Sequence, residues 1–463
     1  MTSSGSNRHA IPPSMAWLTV FVPALAYYIG SRLQSTRLGG RSLGKTVGTI
    51  RDEAKPPAIL WGASADLSLV ESSKGFQDIC SSIWMHDEEE LGRGFLLLSQ
   101  AYGSGRIWRW EVGGGPIPIG RTLYMEPSGC RSTRNCSSNS RLGSGGLTID
   151  FMAHQGRHHP YNTIHEGHLV VAEWGERRII RVEENGVRTP LVLNVPSLCP
   201  NDTNETTQQH SDNNDGDSKN NARQRRIYQP TDLLYTPFGD LVFVDRDPTC
   251  QASGLFMLDD AIQTEPLGTP MESRKAHSWS SLPNHNTTTL RVLHTTASSS
   301  NEIGSMGGVT LDKSWTGVYF TQQQSQDGPV QLLHKVLPDD DDDDDEKEEE
   351  EGEEEEGAQP KSKPRLVYEF PNGTPGPVTM NQNGNLFVGT TDKVVVFSSD
   401  NASPLLEIPV PSTPTSLTLG QDRYLYITTY KELYRIRVRH GPLQVPTNLI
   451  RKRPKKKPQS RPF

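Results

Sequence analysis

Apolar residues beyond about Pro57 occur in short runs that end at Gly, Pro, Asn or Asp, with almost no helical period. Runs of this kind are typical of β-strands separated by turns. One unit recurs: a small residue or proline, an apolar strand, a Gly or Asp turn, and a second strand that ends in a small polar pair. The pattern therefore predicts an all-β domain over residues 58–440.

Six copies of this unit follow one another along the chain. They lie at Ser82–Trp110, Gly145–Gly186, Pro230–Asp247, Gly307–Gln322, Gly376–Phe397 and Thr415–Val438. Sixfold recurrence of antiparallel strands predicts a six-bladed β-propeller, in which each blade buries its faces against its neighbours. Long inserts interrupt the repeats at 126–144, 154–166, 194–228, 261–289 and 337–363. A pair of β-sandwiches is the alternative, but it gives no reason for the recurrence.

The N-terminal region carries no charge from Ala10 to Ser31 and is nearly continuously apolar from Met15 to Ile29. A membrane-spanning helix needs about 20 apolar residues, which residues 11–30 reach when the prolines are counted. We expect residues 1–31 to be a signal anchor or a signal peptide. The absence of a small-x-small cleavage motif after Tyr28 favours a retained single-pass anchor helix, followed by a polar linker at 32–57.

The orientation of this segment in the membrane is signalled in two opposing ways. One arginine precedes the segment and four basic residues follow it within 32–45, which by the positive-inside rule would keep the domain cytosolic. Six N-x-[ST] sequons, the acceptor motif for glycans in secreted chains, favour the opposite side. They are Asn135, Asn201, Asn204, Asn286, Asn372 and Asn401. We expect a membrane glycoprotein of the secretory pathway, in the endoplasmic reticulum or at the cell surface.

The net charge of -8 is distributed unevenly. Residues 339–356 carry 16 acidic residues and one lysine, whereas the last fourteen residues carry seven Lys or Arg and no acid. The acidic insert 337–363 cannot bury apolar surface, so we expect it to be disordered. The insert and the basic tail 441–463 are candidate sites for a protein partner or, for the tail, anionic lipid. We expect no nucleic-acid partner, because the basic residues have no interleaved aromatics.

Cysteine and histidine residues suggest no catalytic site by their spacing. The five cysteines are too few for a disulfide scaffold and are not spaced as zinc ligands, so one or two bridges or free thiols are expected. Five histidines fall between His154 and His168. In a propeller this insert lies on the face opposite the channel mouth, and we expect a solvated loop there.

The join of the first two predicted blades resembles a known family. GFLLLSQAYGSGRIWRWE, MEPSG, GGLTID and HLVVAEWGERRIIRVEENGVRTPLV follow one another in the order seen in gluconolactonases, regucalcin (senescence marker protein) and luciferin-regenerating enzymes. The resemblance extends over about 58–440 and implies a six-bladed propeller. It also implies one divalent cation at the mouth of the central channel, which polarises a lactone carbonyl or the attacking water.

The four metal ligands of that family fall here on Cys80, Thr231, Gly307 and Gly376. None of the four keeps the carboxylate or amide oxygen of the family, although Ca²⁺ requires six to eight oxygen ligands. We therefore expect no resident cofactor, and Ca²⁺ or Zn²⁺ only where a shifted pair, Asp78 and Asp232, replaces the family ligands. Asp232 is then the candidate catalytic residue.

Three functions remain open at this point. The first is a gluconolactonase-like propeller at a membrane, with lost or altered metal-dependent activity on a lactone or ester. The second is a non-catalytic propeller that binds or scaffolds a partner. The third is a propeller of the strictosidine-synthase or paraoxonase type, which also often carries an N-terminal anchor.

Overall fold

The structure is a computed structural model, and it describes residues 59–60, 67–72, 76–86, 94–103, 105–111, 121–130, 141–150, 168–183, 186–199, 224–247, 249, 251–259, 290–296, 304–338, 363–398 and 401–443. The predicted anchor helix, the histidine-rich insert up to Glu166, the acidic run and the end of the basic tail lie outside these residues. Within the described part of the chain, no helix is long and apolar enough to cross a membrane.

Six four-stranded antiparallel sheets form the blades. Blade 1 contains β2 (Ile79–His86), β3 (Gly94–Gln100), β4 (Arg106–Glu111) and β5 (Arg121–Met125), and blade 2 contains β6 (Ser144–Asp150), β7 (His168–Glu173), β8 (Arg178–Val182) and β9 (Arg188–Val192). Blade 3 contains β12 (Gln229–Tyr235), β13 (Leu241–Asp247), β14 (Ala252–Leu258) and β15 (Leu290–Thr295), and blade 4 contains β16 (Ser305–Leu311), β17 (Gly317–Gln323), β18 (Val330–Val336) and β19 (Arg365–Phe370). Blade 5 contains β20 (Val378–Met380), β21 (Leu386–Gly389), β22 (Lys393–Ser398) and β23 (Asn401–Pro409).

Blade 6 combines the two ends of the domain. Its strands are β24 (Pro414–Leu419), β25 (Tyr424–Thr429), β26 (Glu432–Arg437) and, on the outside, β1 (Ser68–Ser72). Pairing of β1 with β26 closes the ring, and the first strands of all six blades neighbour one another around the centre. The predicted six-bladed propeller is confirmed, because each predicted repeat coincides with the first two or three strands of one blade.

Apolar residues on both faces of the blades form the core, which explains why several strands show no alternation in the sequence. All seven residues of β3, β14 and β17 are buried, as expected for strands covered on both sides. Between blades 2 and 3, Val170 and Ala172 pack in one cluster with Phe243 and Phe256, whose rings stack with centroids 5.3 Å apart. Each such cluster joins neighbouring blades, so the ring is held by apolar packing between sheets.

All first strands begin on the same face of the ring, which is called the mouth, and end on the opposite, far face. The insert 194–228 begins and ends at the mouth, and its two ends are ordered. They pair as a short hairpin of β10 (Asn194–Pro196) and β11 (Gln224–Arg226). Val195 and Ile227 are fully buried in the core between blades 2 and 3. The insert therefore packs against the domain at both ends, because each end contributes a buried apolar residue.

The chain continues past the predicted domain boundary at residue 440 as a C-terminal strap, Val438–Leu443. Val438 bridges Leu60 and the amide of Arg439 donates to the carbonyl of Ile59. The carbonyl of Gly441 accepts from the amide of Gln382 at 3.1 Å. The strap thus runs from blade 6 to blade 5 on the far face.

Candidate functional site

The four positions that correspond to the family ligands lie together at the mouth. In three blades the first strand has residues that are left out of the pairing with the second strand. These are Cys80 in β2, Thr231 in β12, and Gly307 with Gly308 in β16. Each is a β-bulge near the start of its strand. Gly376 lies two residues before β20 begins. The four positions thus occupy similar places at the start of their blades.

The space beside the two glycines is filled by the neighbouring strands. A Cβ atom on Gly307 would lie 2.6 Å from the carbonyl oxygen of Gly376 and closer still to Oγ1 of Thr321. A Cβ atom on Gly376 would lie 2.7 Å from the carbonyl carbon of Gly389. Real Cβ atoms essentially never approach other atoms under 3 Å. An asparagine or aspartate ligand could not project from either position without moving the backbone.

A repeated hydrogen bond explains this close approach. Side chains at the ends of second strands donate to a carbonyl at the start of the next blade's first strand. The three bonds are Ser99 Oγ to Gly145 O at 2.7 Å, Trp174 Nε1 to Pro230 O at 2.6 Å, and Thr321 Oγ1 to Gly376 O at 2.7 Å. The bonds are buried, and such bonds are costly to leave unmade. The mouth backbone is therefore used for contacts between blades.

Asp232, the candidate catalytic residue, holds two blades together. Its Oδ2 accepts from the amide of Val309 on blade 4 at 2.8 Å, and its Oδ1 accepts from the amide of Leu233 at 3.0 Å. The residue is half-buried by accessible surface, on a first strand of the ring. Burial raises the pKa of Asp232 to about 7, although both amide hydrogen bonds favour the charged form. The group can therefore exchange a proton near neutral pH.

Asp78, the other half of the proposed carboxylate pair, is held by a different partner. Its Oδ2 accepts from Nε of Arg141 at 2.9 Å, and its backbone φ of 54° lies in the left-handed region. Arg141 also lies over the ring of Tyr430, 5.8 Å from its centroid. The carboxylate of Asp78 thus pairs with an arginine, while Asp232 is bonded to backbone amides of blades 3 and 4.

Cys80 lies beside Asp78, with its Sγ 3.5 Å from the carbonyl oxygen of that residue. Burial raises the pKa of the Cys80 thiol to about 12, and Arg141 offsets only part of this effect. The thiol is therefore protonated at neutral pH, whereas metal binding and nucleophilic attack both need the thiolate. Cys80 offers neither a ligand nor a nucleophile in this state.

A divalent cation does not fit these residues. Two of the four family positions have no side chain and no space for one, and a third holds a protonated thiol. Among the described residues, no group of three or more His, Cys, Asp or Glu side chains is close enough to hold a metal ion. Of the two carboxylates considered as a shifted metal pair, Asp232 is already hydrogen-bonded to two amides and Asp78 to Arg141.

Other ionic clusters near the mouth were not identified from the sequence. Glu173 is fully buried between Arg178 and Arg188, and Arg188 also donates to the carbonyl of Cys130 at 2.8 Å. Burial raises the pKa of Glu173, and the two arginines lower it. This cluster attaches the loop before β6 to blade 2.

The β10–β11 hairpin is attached by a second cluster. Arg225 Nη2 donates to Oδ2 of Asp245 at 2.7 Å, and Arg226 Nη2 donates to the carbonyl of Glu176 at 2.9 Å. The guanidinium of Arg177 lies over the ring of Tyr228, 4.4 Å from its centroid. The hairpin is thus fixed to blades 2 and 3 beside the mouth. Nothing in the polar sequence of the insert signals these contacts.

The cysteines and the described histidine of the insert are structural. Cys130 and Cys199 each take part in a disulfide bond, and Cys80 is a free thiol. His168 lies on the far face, where its Nε2 is 3.6 Å from Oε2 of Glu183. The other four histidines of the predicted loop lie outside the described residues.

Comparison with known proteins gives matches among solved structures. No protein-family model and no curated protein matches the chain. Among solved structures, a gluconolactonase from Xanthomonas campestris is 17% identical with a TM-score of 0.47, over 85% of this chain and 94% of that one. Regucalcin, a calcium-binding protein from Agrobacterium tumefaciens, is 8% identical with a TM-score of 0.43, over 81% and 96%. A nidogen–laminin complex gives 10% and 0.40, over 72% and 84%.

The gluconolactonase and regucalcin propellers are thus among the structures that this chain is similar to, as the sequence resemblance predicts. At these identities and TM-scores the likeness concerns the fold alone. Function has to be argued from the mouth itself.

Proposed function

We propose that the chain is a gluconolactonase-like propeller that has lost the metal-dependent reaction and acts as a binding or scaffold domain at a membrane of the secretory pathway. The observation that carries this proposal is the blocked space at Gly307 and Gly376. A change of side-chain rotamer elsewhere cannot supply ligands at two positions where backbone of a neighbouring strand occupies the place of a Cβ atom. The proposed loss of the metal site therefore involves the backbone arrangement of the ring as well as the identity of the four residues at the ligand positions.

The proposed compartment has one structural support. Cys130 and Cys199 each take part in a disulfide bond, and disulfides persist mainly in oxidising compartments. The apolar segment 11–30 and the six sequons point to the same pathway. The membrane anchor and its orientation are part of the proposal and are tested separately below.

A second function rests on Asp232. A carboxyl group with a pKa near 7 that is half-buried on a first strand could act as a general acid or base on a lactone or ester. Its two amide hydrogen bonds restrict it, since the oxygen that takes a substrate proton would have to give up or share one of them. The binding function is favoured because both carboxylate oxygens are already engaged.

The experiment uses the full-length protein purified in detergent micelles. Calcium and zinc are titrated by calorimetry, and glucono-δ-lactone hydrolysis is measured with and without each metal. We expect no saturable metal binding at the mouth and no hydrolysis above the spontaneous rate. Metal binding that is lost in Asp232→Ala, together with metal-dependent hydrolysis, would overturn the proposal. Metal-independent hydrolysis that is lost in the same variant would support the second function.

The anchor is tested by carbonate extraction and glycosidase treatment of the chain expressed in eukaryotic cells. We expect the protein to stay in the membrane pellet and to lose mass on deglycosylation. Release into the carbonate supernatant would contradict the retained anchor. An unchanged mass would contradict the lumenal orientation.

A further inference from the structure

The C-terminal strap crosses the far opening of the central channel. It leaves β26, the third strand of blade 6, and Pro442 then bridges Asn381, the residue that follows the first strand of blade 5. Leu443 packs against two core clusters, the one between blades 3 and 4 and the one between blades 4 and 5. The segment therefore passes along the far face from the third strand of blade 6 to the end of the first strand of blade 5 and to clusters shared by blades 3, 4 and 5.

The contacts that hold the strap beyond Arg439 are few. Among the described residues they comprise the amide of Gln382 donating to Gly441 O, the bridge between Asn381 and Pro442, a contact of 3.5 Å between Nε2 of Gln382 and Nδ1 of His440, and the apolar contacts of Leu443. Leu443 itself keeps part of its surface exposed. By contrast, every core strand of the blades is paired along its length, so the strap should open at a much lower free energy than the blades.

One buried group under the strap is left unsatisfied. Asn381 is fully buried, and its Oδ1 accepts from the amides of Asn383 and Asn385. Its Nδ2 has no hydrogen-bond partner among the described residues. Covering an amide donor without a partner is unfavourable, and opening of the strap would let water reach it. The closed state therefore carries a local penalty that the open state does not.

We propose that residues Gly441–Leu443 form a displaceable plug of the far end of the channel, with Leu443 as the residue that closes it. With the plug in place, small molecules reach the channel only from the mouth. Displacement opens the far side and uncovers the cluster between blades 3 and 4, against which Leu443 and Leu234 both pack. This inference is independent of what the mouth binds.

The test is hydrogen exchange of the full-length protein in micelles, followed by mass spectrometry. In Leu443→Asp we expect the peptide that contains Gln382 to exchange at least about tenfold faster, while peptides from β25 keep their protection. The matched control is Leu366→Asp, which changes an exposed leucine on the outer strand of blade 4. It should leave exchange at Gln382 unchanged. Unchanged exchange at Gln382 in Leu443→Asp would overturn the proposal.

A second readout distinguishes a plug from an ordinary core residue. A reporter thiol in Leu234→Cys should react with a maleimide faster when combined with Leu443→Ala than alone. Equal labelling rates would show that Leu443 does not cover this cluster. Faster exchange spread evenly over blades 3 to 5 in Leu443→Ala would show that the residue belongs to the general core, and this outcome also overturns the proposal.

Discussion

Asp232 should make the stability of the propeller depend on pH in a way that a single substitution removes. Its pKa is about 7 in the folded protein against an ordinary value of 3.8. An acid with a raised folded pKa holds its proton more tightly in the folded state. Its contribution to the free energy of unfolding is therefore largest at low pH, falls as pH rises from about 4 to about 7, and is level above that.

The size of the effect follows from the pKa difference. About 3 units correspond to ~4 kcal/mol at 1.36 kcal/mol per unit. Because Asp232 keeps accessible surface, water reduces this penalty, and we expect roughly half, ~2 kcal/mol. Glu173, Asp245 and Asp422 also have pKa values raised by burial. They are present in wild type and variant alike, so their effects cancel in the difference.

The assay is urea unfolding at pH 4.5, 6 and 8, followed by tryptophan fluorescence. In Asp232→Asn the free energy of unfolding should rise by ~2 kcal/mol relative to wild type between pH 4.5 and 8. At any one pH the free energy of unfolding of Asp232→Asn can be lower than that of wild type, because the amide oxygen of asparagine replaces only one of the two carboxylate oxygens that accept hydrogen bonds. Thr231→Val, at the neighbouring bulge, should keep the wild-type pH dependence. Parallel pH profiles for wild type and Asp232→Asn would refute the reasoning.

Two further predictions concern the packing at and near the mouth. Gly307→Asn and Gly376→Asp restore the ligand types of the family, but each should destabilise the protein by about 2–4 kcal/mol without creating calcium affinity, because the new side chain meets backbone. Thermal melts with and without Ca²⁺ check this, and a melting temperature that rises with Ca²⁺ in either variant would contradict it. Glu173→Gln should cost about 3 kcal/mol, since it leaves the buried Arg178 and the partly buried Arg188 without a full countercharge. Glu407→Gln, whose ion pair with Lys393 is partly exposed, should cost less than about 1 kcal/mol by the same denaturation assay, and equal losses would refute the difference.

The blades could be predicted from the sequence because their information is local. GGLTID and PTDLL each place turn and apolar residues at fixed offsets, and the structure has β6 and β12 at those residues. The structure places Cys80, Thr231 and Gly307 at bulges near the start of first strands, a local geometry that the sequence pattern did not predict. The β10–β11 hairpin was missed because Val195 and Ile227 are single apolar residues at the ends of a long polar stretch, and neither forms a pattern by itself.

The chemistry of the site depends on distances between blades, which sequence patterns do not carry. Gly308 was not singled out, yet its lack of a side chain lets the carboxylate of Asp232 approach blade 4, since a Cβ there would lie 3.1 Å from Oδ2. The pairing of Asp78 with Arg141 joins residues 63 positions apart. Residues 441–443 of the strap were predicted as part of the basic tail, because their partners at Asn381 and Gln382 belong to blade 5 and are distant along the chain.

Blade 6 is built from strands at both ends of the domain, so it can form only after the last of these strands has been synthesised. Ser68 of β1 and Arg435 of β26 are separated by 367 positions. At about 5–20 residues per second, β1 waits roughly 20 to 70 s for its partner. During that time the growing arc of blades has an open edge at each end, and such edges pair readily with other chains. Cells that make this protein should therefore need a chaperone until the last blade has emerged, and C-terminal truncations within blade 6 should aggregate rather than accumulate as five-bladed folds.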